Sequence, residues 1–178
     1  MSIQIDKVRI SGFRGMHNIE INLSRVTILL GVNNSGKTSI IKALQLSLGD
    51  YSRYLSDEDF HIGKDEKRQE LITIDLRFIP VKGESRIDEF STEWQQEFGD
   101  KIRAEVDGKQ FVAFRTIARQ DKIKGGYSVE HFYFDLWSDY NVWLETRVNP
   151  KNKIGKRFDS IPFIPIDAQR DIHSELKE

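Results

Sequence analysis

The spacing of hydrophobic side chains divides the N-terminal part of the chain into strand-like and helix-like segments. Hydrophobic and polar residues alternate in residues 2–10 and 19–23, which predicts two strands that pair antiparallel. Residues 26–30 are almost entirely apolar (Val-Thr-Ile-Leu-Leu), so a buried strand is predicted there. Residues 40–48 change to helical spacing, and Gly49 stands where the helix is expected to end. The predicted order is therefore three strands followed by a helix.

The middle of the chain is predicted to be rich in strands. Residues 50–69 are polar and are predicted to form a loop with a short helix. Residues 71–79 alternate cleanly, which predicts a half-buried antiparallel strand that Pro80 ends. An amphipathic helix, broken at Gly99, is predicted for residues 84–106. Further strands are predicted at 110–119, 127–138, 142–148 and 161–166, the first two joined by a hairpin turn at Gly125 and Gly126.

Together these elements predict a single domain of mixed α/β fold with a largely antiparallel β region. Its parts are a strand–loop–helix core at 1–49, a β-rich region at 50–160, and a final strand with the start of a helix at 161–178. A regular alternation of strands and helices does not follow the first helix. A plain doubly wound parallel sheet is therefore disfavoured.

Composition narrows the class of protein and excludes several chemistries. The chain has 178 residues, 31% of them charged, and a net charge of -1, so its overall charge does not indicate nucleic-acid binding. It contains no cysteine, which excludes disulfides, thiolate metal sites and cysteine catalysis. No apolar run reaches membrane-spanning length, and the N-terminus lacks the apolar core of a signal peptide. A cytoplasmic protein without membrane contact is expected.

A phosphate-binding sequence stands between the apolar run and the first helix. Residues 31–38 read Gly-Val-Asn-Asn-Ser-Gly-Lys-Thr and match G-x-x-x-x-G-K-[ST], in which backbone N–H groups surround a phosphate. Lys37 is expected to reach the β- and γ-phosphates, and the Thr38 hydroxyl to bind Mg²⁺. The residues predicted to contact the nucleotide here are Asn33, Asn34, Ser35, Gly36, Lys37, Thr38 and Ser39.

The sequence lacks the acidic pair with which phosphate-loop ATPases hold Mg²⁺ and activate water. Asp75 follows an apolar stretch but is succeeded by Leu76, and Asp167 is succeeded by Ala168. A Ser-Gly-Gly signature and a guanine-reading Asn-Lys-x-Asp are also missing. The sequence therefore predicts a nucleotide pocket without hydrolytic machinery, and no catalytic residue is assigned in this chain.

Three stretches resemble the OLD family of ATP-dependent nucleases, which includes the Gabija-type anti-phage nuclease. Residues 31–44, with two asparagines before Ser-Gly-Lys, look like the phosphate loop of that family. Phe13-Arg14-Gly15 and residues 166–171 (Ile-Asp-Ala-Gln-Arg-Asp) are also similar to such ATPases. Two strands ahead of the loop resemble the ABC-type ATPase heads of RecF, SMC and OLD-like proteins. In the OLD family a Toprim nuclease domain follows a split head, whose later half carries the acidic pair and the signature motif.

The resemblance implies that this chain is the N-terminal lobe of an ABC-type ATPase head, with ATP and Mg²⁺ as ligands. The nucleotide state would gate DNA binding or cleavage by domains of the parent protein, and two heads would form a homodimer around ATP. Gln169 resembles the Q-loop glutamine, which touches Mg²⁺ and senses the γ-phosphate. Arg14 resembles a basic residue that lies near the nucleotide in related heads.

Two other functions stay open from the sequence: a RecF- or SMC-like repair head without a nuclease, and a free-standing nucleotide-dependent binding module. Other chemistry-bearing residues are predicted to have ordinary roles. The scattered histidines lack metal-ligand spacing, the acidic residues 57–59 are expected in a solvated loop, and the aromatic segment 132–143 is expected in a strand core or dimer face. The histidines and the cations expected in a solvated basic loop are His17, His61, His131, His173, Lys151, Lys153, Lys156 and Arg157.

Overall fold

The computed structural model describes residues 2–32, 36–123, 125–155 and 161–164. The strands in these residues are β1 (Ser2–Phe13), β2 (Met16–Asn22), β3 (Leu71–Lys82), β4 (Ser85–Arg86), β5 (Arg103–Ala104), β6 (Gln110–Gln120) and β7 (Tyr127–Phe134). They form one sheet in which β2, β1, β3 and β6 are successive neighbours, while β4 pairs with β3, and β5 and β7 pair with β6. Every pairing is antiparallel, which confirms the mixed fold with a largely antiparallel β region.

The two hairpins predicted from the sequence are present. β1 and β2 pair from Lys7 opposite Asn22 to Phe13 opposite Met16, and the turn between β6 and β7 contains Gly125 and Gly126 with φ of +74° and +76°. A third glycine is required inside β1. Gly12 has φ +74°, and a Cβ there would lie 2.2 Å from the Leu71 carbonyl oxygen, so close approach to β3 excludes a side chain.

One face of the sheet carries the hydrophobic core and the helix α1 (Lys37–Leu48). Ala43 and Leu46 are buried against the sheet, and Gly49 follows the helix as predicted. Among the hydrophobic residues in the helical spacing of 40–48, Ile40, Leu44 and Leu48 pack against the core, whereas Ile41 is 46% exposed. Neither α1 nor any other helix in the described ranges is long and apolar enough to span a membrane.

The opposite face of the sheet is covered as well, so the prediction of a half-exposed β3 is wrong. Asp75 is 0% exposed and Arg77 is 7% exposed. The chain after β7 lies over these side chains and includes a 3₁₀ turn, Tyr140–Glu145, with Trp143 only 1% exposed. Alternation distinguishes the two faces of a strand, but it does not show whether another segment covers the polar one.

A row of alternating charges crosses four strands on this covered face. The strand register places Glu20 opposite Arg9, Arg9 opposite Asp75, and Asp75 opposite Arg115. Arg9 Nε donates to Glu20 Oε2 at 2.6 Å, and Arg115 donates to both Asp75 oxygens at 2.6 and 2.7 Å. Arg115 Nη2 also donates to the Trp143 carbonyl at 2.8 Å. The charged side chains on this face therefore pair with one another, and Arg115 also bonds to the segment that covers them.

The predicted helix at 84–106 is mostly wrong. Only α2 (Thr92–Phe98) is α-helical, and it is followed at Gly99, where φ is +54°, by a short 3₁₀ turn, Gly99–Lys101. Its aromatic residues pack on the sheet, since the rings of Trp94 and Phe98 are stacked at 5.5 Å and Phe98 lies 6.3 Å from Phe78. The aromatic spacing thus reflects packing on the sheet rather than one continuous helix.

Three other predicted boundaries also differ from the structure. β3 continues through Pro80 to Lys82 because its ladder with β6 stops at Phe78, so the missing N–H of proline falls beyond that ladder. The predicted strand at 142–148 is replaced by the 3₁₀ turn over the sheet. Residues 161–164 are not a strand, and the rest of the segment predicted from 161 onward lies outside the described residues.

Candidate nucleotide site

The phosphate loop leads directly into α1, as the sequence predicts. Gly36 has φ +91°, a left-handed conformation that favours glycine, and its carbonyl accepts a hydrogen bond from Ile40 N at 3.0 Å. The free N–H groups and the dipole of a helix favour an anion at its N-terminal end. The first turn of α1 contains no acidic residue that would compete with such an anion. Asn33, Asn34 and Ser35 lie outside the described residues.

The side chain of Lys37, the first residue of α1, points back toward Gly31 and Val32. Its ammonium group donates to the carbonyl oxygens of Gly31 and Val32 at 2.5 and 2.7 Å. Thr38 and Ser39 follow in the same helical turn, Thr38 exposed and Ser39 half-buried. Four of the residues predicted to bind nucleotide, Gly36 and the three that follow it, therefore lie together at the N-terminal end of one helix.

The apolar run before the loop is not the buried strand that the sequence predicts. Val26, Ile28, Leu30 and Val32 are 77%, 76%, 88% and 80% exposed. Within the described residues, no backbone–backbone hydrogen bond joins residues 26–32 to a strand. The run is apolar enough for a strand covered on both faces, but such a strand also needs neighbours that accept and donate its backbone hydrogen bonds.

Arg14 lies in the turn between β1 and β2 and contacts the segment that follows α1. Its φ is +52°. Its Nε donates to Asp59 Oδ1 at 2.8 Å, and its Nη2 donates to the Tyr51 hydroxyl oxygen at 2.8 Å. The Arg14 side chain is 27% exposed and that of Asp59 is 1% exposed. Arg14 is thus anchored by two side chains, and its predicted contact with nucleotide stays a prediction.

The sequence does not predict that Asp59 and Tyr51 contact Arg14, and the expectation of a solvated loop is wrong for Asp59. Asp57 and Glu58 are exposed, whereas Asp59 turns inward. A sequence signal for this was present, because Ser56 and Asp59 have the spacing of a capping box, and Ser56 N donates to Asp59 Oδ2 at 3.0 Å. The arginine partner of Asp59 could not be read from that spacing.

The electrostatics of these three groups are mutually consistent. Burial raises the pKa of Tyr51, and the negative charge of Asp59 raises it further, so the hydroxyl stays protonated and donates to Asp59 Oδ1 at 3.0 Å. Burial acts against the charged form of Arg14, but its hydrogen bond to Asp59 and the nearby Asp59 and Tyr51 raise its pKa overall. Arg14 therefore stays charged.

The remaining candidate residues are distributed over the fold. Gln169 lies outside the described residues, so its predicted role stays a prediction. His17 and His61 have ring centroids 5.4 Å apart, but no group of three or more acidic or histidine side chains in the described ranges could hold a metal. Both carboxylate oxygens of Asp75 accept hydrogen bonds from Arg115. In the aromatic segment, the buried rings are those of Phe132, Phe134 and Trp143, as expected for a core.

Comparison with known proteins supports a phosphate-loop ATPase fold. A family model described as an AAA ATPase domain matches residues 3–162. The chain belongs to the AAA ATPase domain family. This ATPase domain is also similar to a solved structure from a study of ATP-driven dimerization and DNA-stimulated activation of SMC ATPases, with 16% identity and a TM-score of 0.50. The alignment covers 98% of this chain and 91% of the other, and at that identity it concerns the fold alone. No curated protein matches the chain.

Proposed function

We propose that this ATPase domain is the ATP-binding lobe of an OLD-like ATP-dependent DNA endonuclease. The observation that carries ATP binding is the phosphate loop, which enters α1 through Gly36 and places Lys37 and Thr38 in the first helical turn. In this function the nucleotide state gates DNA binding or cleavage performed by other domains. The two asparagines before Ser35 support the OLD-like assignment, because the sequence there resembles that family.

Each proposed ligand has a specific role. The backbone N–H groups of residues 33–36 would bind the phosphates, and the Lys37 ammonium, which donates to the carbonyls of Gly31 and Val32, would bind the β- and γ-phosphates instead. Thr38 and Gln169 would hold Mg²⁺ through their side-chain oxygens. A role for Arg14 near the nucleotide rests on the resemblance alone, because its side chain contacts Tyr51, just beyond the other end of α1. Mg²⁺ neutralises the phosphate charge when it is bound.

We further propose that this lobe binds ATP without turning it over appreciably. The Asp75 carboxylate is held by both Nε and Nη2 of Arg115, so it is not free to bind Mg²⁺. The carboxylates that activate water would come from another segment or subunit. The exposed run 26–32 supports this arrangement, since an additional lobe could supply strands on both of its sides.

A RecF- or SMC-like repair head without a nuclease is the second candidate, and its support is the fold likeness to a structure from work on SMC ATPases. ATP-driven dimerization is described for those ATPases, and we propose the same for this protein, with heads forming a homodimer and DNA bound by the parent protein. A free-standing nucleotide-dependent binding module is the third. A Toprim nuclease domain in the same polypeptide would separate the first candidate from the other two.

Calorimetric titration of the full chain with Mg-ATP tests the proposed nucleotide binding. Wild type should bind saturably, and Lys37→Ala should weaken binding by about tenfold or more because it removes the charge expected on the phosphates. Lys64→Ala removes an exposed lysine from the loop after α1 and should bind like wild type. Absence of binding by wild type, or equal binding by Lys37→Ala, would overturn the proposal.

A further inference from the structure

Arg14, Tyr51 and Asp59, here called the Asp59 cluster, join the β1–β2 turn to the segment that follows α1. Asp59 Oδ1 accepts hydrogen bonds from Arg14 Nε at 2.8 Å and from the Tyr51 hydroxyl at 3.0 Å, while Arg14 Nη2 donates to that hydroxyl at 2.8 Å. Each pair in the cluster is therefore directly bonded. Because the Asp59 side chain is only 1% exposed, its charge depends on these partners rather than on water.

The cluster also fixes the backbone of the β1–β2 turn. Arg14 has φ +52°, a conformation that a residue other than glycine holds only where the surroundings require it. Arg14 N donates to the Asp59 carbonyl at 2.7 Å, and the Arg14 carbonyl accepts from His61 Nδ1 at 2.7 Å. Arg14 is thus hydrogen-bonded to residues 59–61 through its backbone N–H, its carbonyl and its side chain.

The same cluster contacts α1, the helix that carries the phosphate loop at its other end. Tyr51 begins the 3₁₀ turn just after α1, and the Lys42 ammonium lies 5.5 Å from the centroid of its ring. The Tyr51 ring also packs edge-on against Phe13 of β1, with centroids 6.4 Å apart. α1 is therefore attached to the sheet through Tyr51, while Lys37 and Thr38 project from its first turn.

We propose that Asp59 is a positioning residue for the nucleotide site: by binding Arg14 and Tyr51 it fixes α1 on the β1–β2 turn, and so sets the orientation of the phosphate loop. The inference rests on the proposed ATP binding. A short helix transmits a shift at one end to the other because its backbone is rigid over a few turns. If the cluster favours the orientation that binds phosphate, bound nucleotide must stabilise the cluster by the same factor.

The first test is the Mg-ATP dissociation constant of Asp59→Asn, measured at a temperature where the variant is folded. The amide keeps the shape of the side chain but loses the charge that Arg14 requires, and we expect affinity to fall by about fivefold or more. Asp57→Asn is the matched control, since Asp57 is an exposed carboxylate two residues away that pairs with Arg68 and Tyr127. Its affinity should equal that of wild type.

Asp75→Asn is the second control, because it also weakens a buried carboxylate–arginine pair but on the opposite face of the sheet. It should lower stability and leave the affinity of the folded protein unchanged. Loss of affinity in Asp59→Asn alone supports positioning. Equal affinity in Asp59→Asn and wild type, or equal losses in Asp59→Asn and Asp75→Asn, overturns it. If Asp59→Asn does not fold, Tyr51→Phe, which removes one hydroxyl from the cluster, replaces it with the same expected direction.

Amide hydrogen exchange supplies a reciprocal test that a purely structural role does not pass. Mg-ATP should slow exchange at the N–H groups of Arg14 and His61, which bond to Asp59 and Gly12, and should not do so in Lys37→Ala. Unchanged exchange with bound nucleotide contradicts the inference. Failure of wild type to bind Mg-ATP overturns the proposed function and this inference together, whereas normal binding by Asp59→Asn overturns the inference alone.

Discussion

Strand β3 and the segment before the phosphate loop are both predicted as strands from their hydrophobic residues, yet their surroundings are opposite. Ile72 and Ile74 of β3 are 0% exposed, while Ile28 and Leu30 are 76% and 88% exposed. β3 has β1 on one side and β6 on the other, and both faces of the sheet are covered. Residues 26–32 form no backbone–backbone hydrogen bond with the rest of the described residues. An apolar run therefore indicates that burial is favourable, but its neighbours decide whether burial occurs.

The molecule therefore has two unlike parts: a sheet whose strands are paired and whose faces are covered, and an apolar segment that is exposed. The antiparallel sheet pairs its strands, buries its hydrophobic face under α1 and neutralises its charged face internally. The phosphate loop, by contrast, starts from an exposed apolar segment. We expect mutations in the first part to change folding stability, and mutations in the second to change binding and association.

The largest effect is expected when the buried ion pair of the sheet is broken. Arg115→Ala leaves the fully buried Asp75 carboxylate without its bidentate partner, and should cost about 3–5 kcal/mol of unfolding free energy. Urea denaturation measures the loss. Replacing both residues, as in Asp75→Leu with Arg115→Met, should recover much of it because no charge is left unpaired. A loss below about 1 kcal/mol in Arg115→Ala would contradict the importance of the covered face.

The next effect compares the same substitution in the two apolar runs. Ile74→Ala creates a cavity in the core and should cost about 2–5 kcal/mol, whereas Ile28→Ala should change stability by less than about 0.5 kcal/mol. Urea denaturation of both variants measures the difference. A similar cost in Ile28→Ala would show that residues 26–32 are buried in solution, and the contrast drawn above would be wrong.

The smallest effect concerns pH. Burial acts against the charged form of Glu20, but its hydrogen bond from Arg9 and the charges of Arg9 and Lys7 lower its pKa overall. A lowered folded-state pKa contributes stability above the unfolded value of about 4.3, and that contribution is lost as pH falls through the folded value. Glu20→Gln should therefore be less stable than wild type at neutral pH by about 1 kcal/mol. The difference should shrink in urea titrations at acidic pH, and a difference that grows there would contradict this cause.

The sequence predicted those features that depend on residues close together in the chain. The strands β1, β3 and β6, the glycines of the β6–β7 turn and the helix that follows the phosphate-loop sequence are predicted from local spacing. Features that join distant residues were missed. Arg14 and Asp59 are 45 positions apart, and Arg9 donates to a carbonyl 129 positions away, at Ser138. Hydrophobic spacing carries no information about such partners.

The candidate nucleotide site was predicted only in part for the same reason: local spacing is visible in the sequence, and pairing with distant segments is not. Gly36, Lys37 and Thr38 lie at the start of α1, where the phosphate-loop sequence specifies a glycine turn into a helix, and their binding of nucleotide stays a prediction. The preceding strand was predicted wrongly because a strand also depends on pairing with other segments. The cover over Asp75 was missed because its residues follow β7 and have no periodic relation to β3.

Phosphate release is the most direct test of the claim that this lobe binds ATP but does not complete an ATPase site. It would be measured on the full chain at Mg-ATP concentrations that saturate binding in calorimetry, with Lys37→Ala as the control. We predict that wild type releases phosphate at the background rate and does not differ from Lys37→Ala. Robust turnover that Lys37→Ala abolishes would contradict the claim, because it would show that this chain supplies the catalytic groups itself.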